Sequence, residues 1–410
     1  MIPAIAPRYG GPSKVVVDIV DALLKHGLEV LIVTTNADGQ RRLDVPIGRV
    51  VSYRGVPVLF FPRQFSESFK FSFPFTKWLS NNVRYYDVVH IHGVFSYTSM
   101  IAGKICRNFG IPYILRPLGS LDPWSLRRNW VIKKILWYLG IRDLIINASC
   151  IHFTSLDEKL KAISGVKFLG KVEFDKLKEN GVIIPNGINL CKVNHSSEKI
   201  LLYSKIKPYI LFMGRLHPKK ALDILIRSFD MVVQDYKFQN WNFVIAGDGD
   251  QDYVIKLKHD ISRLHSKHKI HLLGWVDEDK KYSIIRESEV LVLLSYQENF
   301  GNVILESLAC GVPVMVSKNV ALSDEIQRNK IGYVVSLDSN EISESLKELL
   351  AKESIRKEMG NRGRLLIEEK YIWEKIIPNM IDLYKKIIDT SILNLGLKSY
   401  GDSRHKSLSC

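Results

Sequence analysis

The sequence predicts an α/β fold of two doubly wound, Rossmann-like domains that face each other. Short runs rich in β-branched residues alternate with segments of helical apolar spacing, and this alternation occurs in two successive series. A largely polar stretch, Lys192 to Lys207, separates the two series and predicts a linker. A length of 410 residues is also too great for one ordinary core and suits two domains of roughly 200 residues.

These boundaries define the expected parts of the chain. We predict an N-terminal domain over residues 1–195 and a C-terminal domain over residues 206–370. A closing helix over residues 372–390, kinked or interrupted at Pro378, is expected to pack back on the first domain. Residues 391–410 are predicted to form a disordered tail.

Composition limits the class of protein. Hydrophobic residues make up 46% of the chain and charged residues 25%, as is usual for a soluble globular protein. No stretch approaches the ~20 apolar residues that span a bilayer, and no signal peptide is visible. The five cysteines are scattered without a C-x-x-C pair, which argues against a disulfide framework or a zinc site. We therefore expect a cytoplasmic protein.

The net charge of +15 is spread unevenly. Residues 1–200 contain 27 Lys or Arg against 15 Asp or Glu, whereas residues 201–410 contain 31 against 28. A basic N-terminal half predicts an anionic partner, which could be a membrane surface, a lipid phosphate or nucleic acid. The alternative is that the charge serves solubility alone.

The first domain opens with a glycine turn before a helix. Gly10 and Gly11 precede an amphipathic helix, Val15 to Lys25, and a strand follows at Glu29 to Thr35. Glycines at such a place let backbone amides approach a phosphate at the helix N-terminus, although a plain tight turn is the alternative. Only Met1 to Ile5 remain for a first strand, so we expect the start of the chain to be shortened.

Two histidines share one face of a later strand. Further strands are predicted at residues 58–61, 87–91, 112–115, 149–153 and 182–184, and His90 and His92 lie two residues apart around the end of the second of these. Without a nearby carboxylate or cysteine, a metal site is the least favoured interpretation. We favour catalysis or substrate contact over a purely structural role.

The segment Leu121 to Arg142 combines aromatic, apolar and cationic residues. An apolar stripe is formed by Ile132, Ile135, Leu136 and Leu139, while Trp130, Lys134 and Trp137 lie on another face. Aromatic and cationic side chains together suit a membrane interface. The alternative is that the stripe packs on the sheet.

The second domain has its candidate chemistry in the loops after its strands. Strands are predicted at 209–213, 242–246, 270–273, 290–294, 314–316 and 332–335. Arg215 and Lys220 follow the first of these, and Glu298 and Glu306 flank the turn into the helix after the fourth. Ligands of open parallel sheets bind at the carboxyl ends of strands. Fixed cations there can neutralise a diphosphate without a metal, although a surface salt bridge is the alternative for this pair.

A second acidic pair, Asp248 and Asp250, imitates the D-x-D metal motif. It follows a strand directly, so we interpret it as a turn and expect no metal or other cofactor.

Taken together, these motifs occur in the order and at the spacing of a known family. The chain resembles the retaining nucleotide-sugar glycosyltransferases of family 4, which have the GT-B fold with a central cleft, over about residues 1–390. The motifs are Gly10-Gly11, His90-x-His92-Gly93, Pro117-Leu118-Gly119, Pro185-Asn186-Gly187, Gly214-Arg215-Leu216 with Lys220, Gly247-Asp248-Gly249, Gly274, Glu298-x-Phe300-Gly301 with Glu306, and Gly311-x-Pro313-Val314.

The resemblance implies roles for single residues. Arg215 and Lys220 would hold the donor diphosphate together with the Gly10-Gly11 loop, and Glu306 would bind the ribose. Glu298 would face the transferred sugar, and His92 would lie near sugar and acceptor. The amides around Gly301, Asn302 and Val303 would bind phosphate. Retention in this family is usually assigned to a front-face displacement.

One departure from the family pattern is Ala221, which replaces the glycine that commonly follows the lysine. We expect a hexosyltransferase that uses a UDP- or GDP-sugar and a glycan or lipid-linked acceptor in cell-surface polysaccharide or lipopolysaccharide synthesis. It would attach peripherally to the inner face of the plasma membrane. The alternatives are a soluble enzyme with a small acceptor, such as a sucrose-type synthase, and a non-catalytic module that binds nucleotide or nucleic acid. No recognition motif for nucleic acid is present, so we expect none as a partner.

Overall fold

The computed structural model of the protein describes residues 1–167, 170–195 and 206–401. The chain divides into two units, Met1–Ile184 with Ile377–Cys410, and Pro185–Ile376. The first unit ends before the expected boundary at residue 195, since Ile188 donates its amide to Tyr371 O of the second unit at 2.8 Å. Most of the predicted linker, residues 196–205, lies outside the described residues.

The first unit contains two sheets of parallel α/β character. Its strands are β1 (Ile32–Thr35), β2 (Ala37–Asp38), β3 (Arg41–Arg42), β4 (Val50–Tyr53), β5 (Val56–Phe61), β6 (Val89–His92), β7 (Tyr113–Arg116), β8 (Cys150–Phe153) and β9 (Gly181–Ile183). One sheet has the order β1-β5-β4, and the other has the order β6-β7-β8-β9 with every pair parallel. β2 and β3 form a separate antiparallel pair. The predicted strands are confirmed with small differences at their ends.

The short strands β2, β3 and β4 were not predicted. β4 pairs antiparallel with β5 through a two-residue turn, Arg54-Gly55, in which both residues have positive φ. Such turns match the twist of the flanking strands, but the usual sequence signals are Asn-Gly or Asp-Gly. The side chains of β4 are also exposed or half-buried, so its hydrophobic signal is weak.

The N-terminal residues join the two sheets of the first unit. Ile2 donates its amide to Val33 O of β1 at 3.2 Å, and His92 of β6 donates its amide to Met1 O at 2.9 Å. A parallel bridge pairs Ala4 with Thr35. The segment that was predicted as a short first strand therefore lies between β1 and β6, although it forms only this bridge.

Helices cover the sheets of the first unit. They are α1 (Gly11–Lys25), α2 (Phe73–Asn82), α3 (Tyr97–Asn108), α4 (Pro123–Arg127), α5 (Trp130–Leu136), α6 (Arg142–Ile146), α7 (Leu156–Val166) and α8 (Lys171–Glu179). The segment Trp137–Ile141 connects α5 to α6 and is kinked at Gly140, whose backbone angles are not helical. Apolar side chains of the strands and of the inner helix faces form two core clusters, one around Ile91 and Leu115 and the other around Val58 and Val16.

The second unit contains one six-stranded parallel sheet. Its strands are β10 (Tyr209–Met213), β11 (Asn242–Ala246), β12 (Ile270–Gly274), β13 (Val290–Leu293), β14 (Val314–Ser317) and β15 (Gly332–Val335), in the order β12-β11-β10-β13-β14-β15. All of the strands predicted here are confirmed. They are recognisable because a sheet covered by helices on both faces has continuous apolar strands, and all of β10, β13 and β14 is buried.

The helices of the second unit complete the double winding. They are α9 (Leu190–His195), α10 (Leu222–Val233), α11 (Gln251–Ser262), α12 (Glu278–Glu287), α13 (Asn302–Ala309), α14 (Ser323–Arg328), α15 (Ser339–Ala351) and α16 (Glu353–Lys370).

The last helix, α17 (Trp373–Gly401), is longer than the prediction over residues 372–390. It contains Pro378 without an interruption. It also includes residues 391–401, for which a tail was predicted, while residues 402–410 lie outside the described residues. No helix within the described ranges is both long and apolar enough to cross a membrane.

Candidate active site

Each unit has a point at which the winding of its sheet reverses, and the predicted site residues gather there. In the second unit the chain runs outward from β10 through β11 to β12, then returns to the other side of β10 with β13. The loops after β10 and β13 therefore diverge at one place on the carboxyl edge, which leaves a crevice suited to a ligand. Lys220 belongs to the first of these loops and Glu298 to the second.

In the first unit the same reasoning applies to the N-terminal segment and β6. The chain proceeds from that segment to β1 and β5 on one side, and from β6 to β7, β8 and β9 on the other. The loops at the reversal are those of Gly10-Gly11 and of His92-Gly93. Topology thus brings both predicted site elements of this unit to one sheet edge.

Close backbone contacts order the carboxyl edge of the second sheet. Gly214 donates its amide to Ala246 O at 3.0 Å, and Gly247 donates to Gly274 O at 2.7 Å. A Cβ atom on Gly247 would lie 1.9 Å from Gly214 O, and Gly247 has a φ of +143°. Only glycine fits there, so the loops after β10, β11 and β12 lie directly side by side.

The acidic pair Asp248 and Asp250 serves this loop structure. Asp248 accepts a hydrogen bond from Gly249 N at 2.8 Å, and Asp250 accepts one from Asp252 N at 3.2 Å as the N-cap of α11. Across the described ranges, no three His, Cys, Asp or Glu side chains are grouped so that they could hold a metal.

Arg215 and Lys220 are placed differently in the loop after β10. Arg215 is exposed, and no ion pair to it is found among the described residues. Lys220 ends a short 3₁₀ turn, Pro218–Lys220, that is capped by His217, whose Nδ1 accepts from Lys219 N at 3.1 Å. The next residue, Ala221, has a φ of +46°. Here the family's usual glycine would be favoured, and alanine costs on the order of 1 kcal/mol.

The loop that contains Glu298 is held from two sides. Ser295 Oγ and Tyr296 N both donate to Lys219 O, at 2.9 Å each. Glu298 N donates to Asn319 O at 3.2 Å. The loop after β13 is therefore fixed against the turn that contains Lys220 and against the residues that follow β14.

Lys220 and Glu298 form an ion pair. Both side chains are largely buried. Burial by itself would raise the pKa of Glu298, but the charge and hydrogen bond of Lys220 outweigh this effect, and the pKa lies below its usual value. Glu298 is therefore an anion at neutral pH, and its charge is balanced inside the site.

The N-terminus of α13 adjoins this pair. Gly301, with a φ of +78°, turns the chain into the helix that begins at Asn302 and Val303. The first amides of a helix have no intrahelical acceptor, so they are free to bind an anion. Sequence reasoning missed Asn186, whose Nδ2 donates to Asn302 Oδ1 at 2.7 Å from a buried position. Its only signal was the Pro-Asn-Gly motif, which does not indicate what it contacts.

Glu306 lies in the second turn of α13 and is buried. Its Oε2 is 2.5 Å from the Nζ of Lys281 on α12, and the two side chains are 4% and 20% exposed. Lys281 was not predicted as a site residue, because one lysine in the run Asp-Lys-Lys has no distinguishing signal. Both predicted acids of the second unit are thus paired with a lysine.

The Gly10-Gly11 turn of the first unit is fixed by the residue before it. Tyr9 donates its hydroxyl hydrogen to Glu67 at 2.5 Å and accepts from Gly39 N at 3.0 Å. Burial and the bond to Glu67 raise the pKa of Tyr9. Gly10 has a φ of +73° and caps α1, so the turn has the conformation that favours glycine.

His92 is buried at the carboxyl end of β6. Its ring stacks on His90 with a centroid distance of 4.4 Å, and within the described chain its Nδ1 has no hydrogen-bond partner. Burial, together with the neighbouring His90 and Arg116, holds the pKa of His92 well below 6.5. The imidazole is therefore neutral at physiological pH.

His90 has a different environment from His92. Its Nδ1 lies 2.9 Å from Tyr384 Oη on α17, and its Nε2 lies 3.3 Å from His152 Nδ1. His152 in turn bonds to Ile184 O at 2.8 Å. His90 is therefore held in a buried hydrogen-bonded chain beneath the ring of His92.

Comparison with known proteins identifies both units. The family model "Glycosyl transferases group 1" matches residues 195–366, and the model "Glycosyl transferase 4-like domain" matches residues 10–164. An uncharacterised glycosyltransferase of Methanocaldococcus jannaschii is 27% identical over 305 residues, which are 74% of this chain and 76% of that protein.

Two more comparisons add detail. The phosphatidyl-myo-inositol mannosyltransferase of Mycobacterium leprae is 24% identical over 287 residues, which are 66% of this chain and 74% of that protein. Among solved structures, Anabaena HepE in complex with UDP-glucose is similar with a TM-score of 0.74 and 16% identity, over 94% of this chain and 98% of that one. The latter similarity concerns the fold.

Proposed function

The chain belongs to the glycosyltransferases of family 4, with the GT-B fold, and from this membership we propose that it transfers a hexose from a UDP- or GDP-sugar with retention of configuration. The observation that best supports the proposal is that the winding reversal of each sheet gathers the family's site residues. Arg215, Lys220 and Glu298 share one such edge, and Gly11 and His92 share the other.

The second unit would bind the donor. Exposed Arg215 and the amides at Asn302 and Val303 suit the diphosphate, because cations and helix N-termini both attract phosphate oxygens. Glu306 would accept hydrogen bonds from the ribose hydroxyls. Lys220 would exchange part of its contact with Glu298 for a phosphate oxygen. Fixed cations would take the place of a metal in this scheme.

The reaction would exchange one glycosidic bond for another. The bond from the anomeric carbon to the diphosphate breaks, and a bond to the acceptor oxygen forms on the same face. The acceptor proton passes to the leaving phosphate. Glu298 would stabilise the positive charge that develops on the sugar, and neutral His92 would orient a sugar or acceptor hydroxyl. Gly10 and Gly11 would approach the diphosphate through their backbone.

For the acceptor we propose a glycan or lipid-linked molecule in cell-surface polysaccharide or lipopolysaccharide synthesis, at the inner face of the plasma membrane. The name of the mycobacterial relative includes a phospholipid substrate, and the N-terminal half of this chain has an excess of 12 positive charges. A soluble enzyme with a small acceptor would use the donor in the same way but would not bind vesicles.

Hydrolysis or transfer of UDP- and GDP-sugars tests the proposal. We expect Lys220→Ala to lower kcat/KM by about 10²–10³-fold, since removal of one group that stabilises transition-state charge has this effect. Glu306→Gln should weaken donor binding severely. Lys357→Ala is a matched control, because Lys357 forms an exposed ion pair remote in sequence from the predicted site residues. Full activity in both site variants would refute the site assignment.

A thermal-shift screen with UDP, GDP and ADP would identify the base. Absence of a shift with all three, combined with nucleic-acid binding that weakens steeply with salt, would instead favour the non-catalytic module.

A further inference from the structure

An exposed apolar surface lies on the first unit around α5. Six apolar side chains within ten residues are 53–70% exposed, namely Trp130, Val131, Ile132, Ile135, Tyr138 and Leu139. We call this set the Trp130 surface. Scattered exposed apolar residues are ordinary on a soluble protein, but a contiguous set marks an interaction site.

The orientation of α5 is set by its opposite face. Trp137 is buried in the core cluster around Ile91, and Leu136 packs against the same cluster. The Nζ of Lys133 donates to Ser125 O and lies 5.1 Å from the centroid of the Phe95 ring. These contacts attach one side of the helix to the body of the unit. Three residues of the predicted stripe, Ile132, Ile135 and Leu139, therefore face outward, and the alternative that the stripe packs on the sheet is wrong for them. It is right for Leu136, which packs against the core.

Cations surround the Trp130 surface. Between Leu121 and Arg142 the chain has five Lys or Arg and one Asp. Arg127, Arg128 and Lys134 are exposed, and the Nζ of Lys134 lies 5.5 Å from the centroid of the Trp130 ring. A surface with an apolar centre and a cationic border matches a bilayer whose headgroups are anionic.

We propose that the Trp130 surface is the membrane-docking site of the protein, with α5 lying in the plane of an anionic leaflet. The helix is far too short to span a bilayer, so its apolar side chains would enter the boundary between headgroups and acyl chains. The cations at its border would contact lipid phosphates. This inference rests on the proposed function, because it names the surface through which the enzyme would reach a lipid-linked acceptor.

A second copy of the chain is a less suitable occupant. In a two-fold symmetric contact the same patch faces itself, so the exposed cations Arg127, Arg128 and Lys134 of one copy would oppose those of the other. Such like-charge contact weakens association unless acidic residues intervene, and the segment has a single Asp.

Vesicle flotation with the full-length protein tests the proposal. We expect binding to vesicles of equal phosphatidylcholine and phosphatidylglycerol, and much weaker binding to phosphatidylcholine alone. The double variant Ile135→Ser/Leu139→Ser should lower the partition coefficient by about 50–100-fold, since each side chain that would become fully buried contributes roughly a tenfold factor. Lys134→Ala should lower it about fivefold at low salt, and this difference should shrink as salt rises.

The matched control is the double variant Ile255→Ser/Leu365→Ser. Both residues are 65% exposed and belong to the second unit, so vesicle binding should stay as in the wild type. If the two double variants bind equally well, the proposed surface is wrong. A wild-type dimer that the Ile135→Ser/Leu139→Ser change dissociates would assign the surface to a second copy and overturn the proposal.

Donor hydrolysis without vesicles separates this inference from the proposed function. The Ile135→Ser/Leu139→Ser variant should hydrolyse the donor in solution at the wild-type rate, because the changed side chains are exposed and lie outside the predicted site residues. If the wild type binds vesicles but turns over no nucleotide sugar, the proposed function fails while the docking surface stands.

Discussion

Lys281→Met isolates the electrostatic support of the buried acid Glu306. The substitution keeps an unbranched side chain of similar length on α12 and removes its charge. Lys281 Nζ lies 2.5 Å from a Glu306 oxygen, and the Glu306 side chain is only 4% exposed. The variant would therefore leave a buried carboxylate without this cation.

The expected loss of folding stability follows from the burial of Glu306. Removing one member of a buried ion pair typically destabilises a protein by 3–5 kcal/mol, because the remaining charge stays out of water. Lys281 is 20% exposed, so we expect the lower end, about 3 kcal/mol. For a unit of the size of Pro185–Ile376, this corresponds to a fall in Tm of roughly 6–12 °C.

Urea unfolding of four proteins would measure the effect: wild type, Lys281→Met, Glu306→Gln and the double variant. The double variant has neither charge of this buried pair. Its loss of unfolding free energy should therefore be smaller, by about 1–2 kcal/mol, than the sum of the losses in the two single variants. Lys357→Met is the control, because Lys357 pairs with Glu353 at 2.6 Å in full exposure and its loss should leave the transition unchanged. Equal effects of Lys281→Met and Lys357→Met, or strict additivity in the cycle, would refute the reasoning.

Three further predictions concern other contacts. Gly247→Ala should lower the free energy of unfolding in urea by about 3 kcal/mol or more, because its methyl group would meet a backbone carbonyl. Gly274→Ala has open space around its Cβ and should lower it by only about 1 kcal/mol. Equal losses in the two variants would contradict this reasoning. His152 has a pKa of about 3 through burial and the nearby Arg116, against about 6.5 when unfolded, so the folded state binds fewer protons and stability falls as pH drops below about 6.5. His152→Gln should therefore reduce the slope of unfolding free energy against pH by up to ~1.4 kcal/mol per pH unit, and an unchanged slope would count against it. Asn186→Ala should lose about 1–2 kcal/mol of stability and weaken UDP or GDP binding in calorimetry, since it removes the bond to the first residue of α13.

Much of the fold could be predicted because its signals are local. Every strand of the second sheet was located from its apolar run, since strands covered on both faces contain few polar residues. β4 was not predicted because its side chains are exposed or half-buried and because its turn, Arg54-Gly55, has an uncommon residue at positive φ. The end of α17, up to Gly401, was also not predicted, because these residues were interpreted as a polar tail.

For the site, the acids and cations were selected as candidates from the chain order of the motifs. Glu298 interrupts an apolar strand–helix unit, and that interruption is visible in the sequence. The partners of these groups were not visible. Lys281 reaches Glu306 only because α12 packs beside α13, and Asn186 reaches Asn302 across more than one hundred residues of chain.

The sequence by itself therefore determined the α/β class, the positions of most strands and the candidate residues for donor chemistry. These properties depend on periodicity and on short-range spacing, which a single chain displays directly. The tertiary structure decided which lysine neutralises which acid and that the Nδ1 atoms of His90 and His92 differ in their hydrogen bonding. It also decided which side chains of α5 face outward. Those outcomes depend on contacts between residues distant in sequence, where burial and neighbouring charge, rather than residue type, set the chemistry.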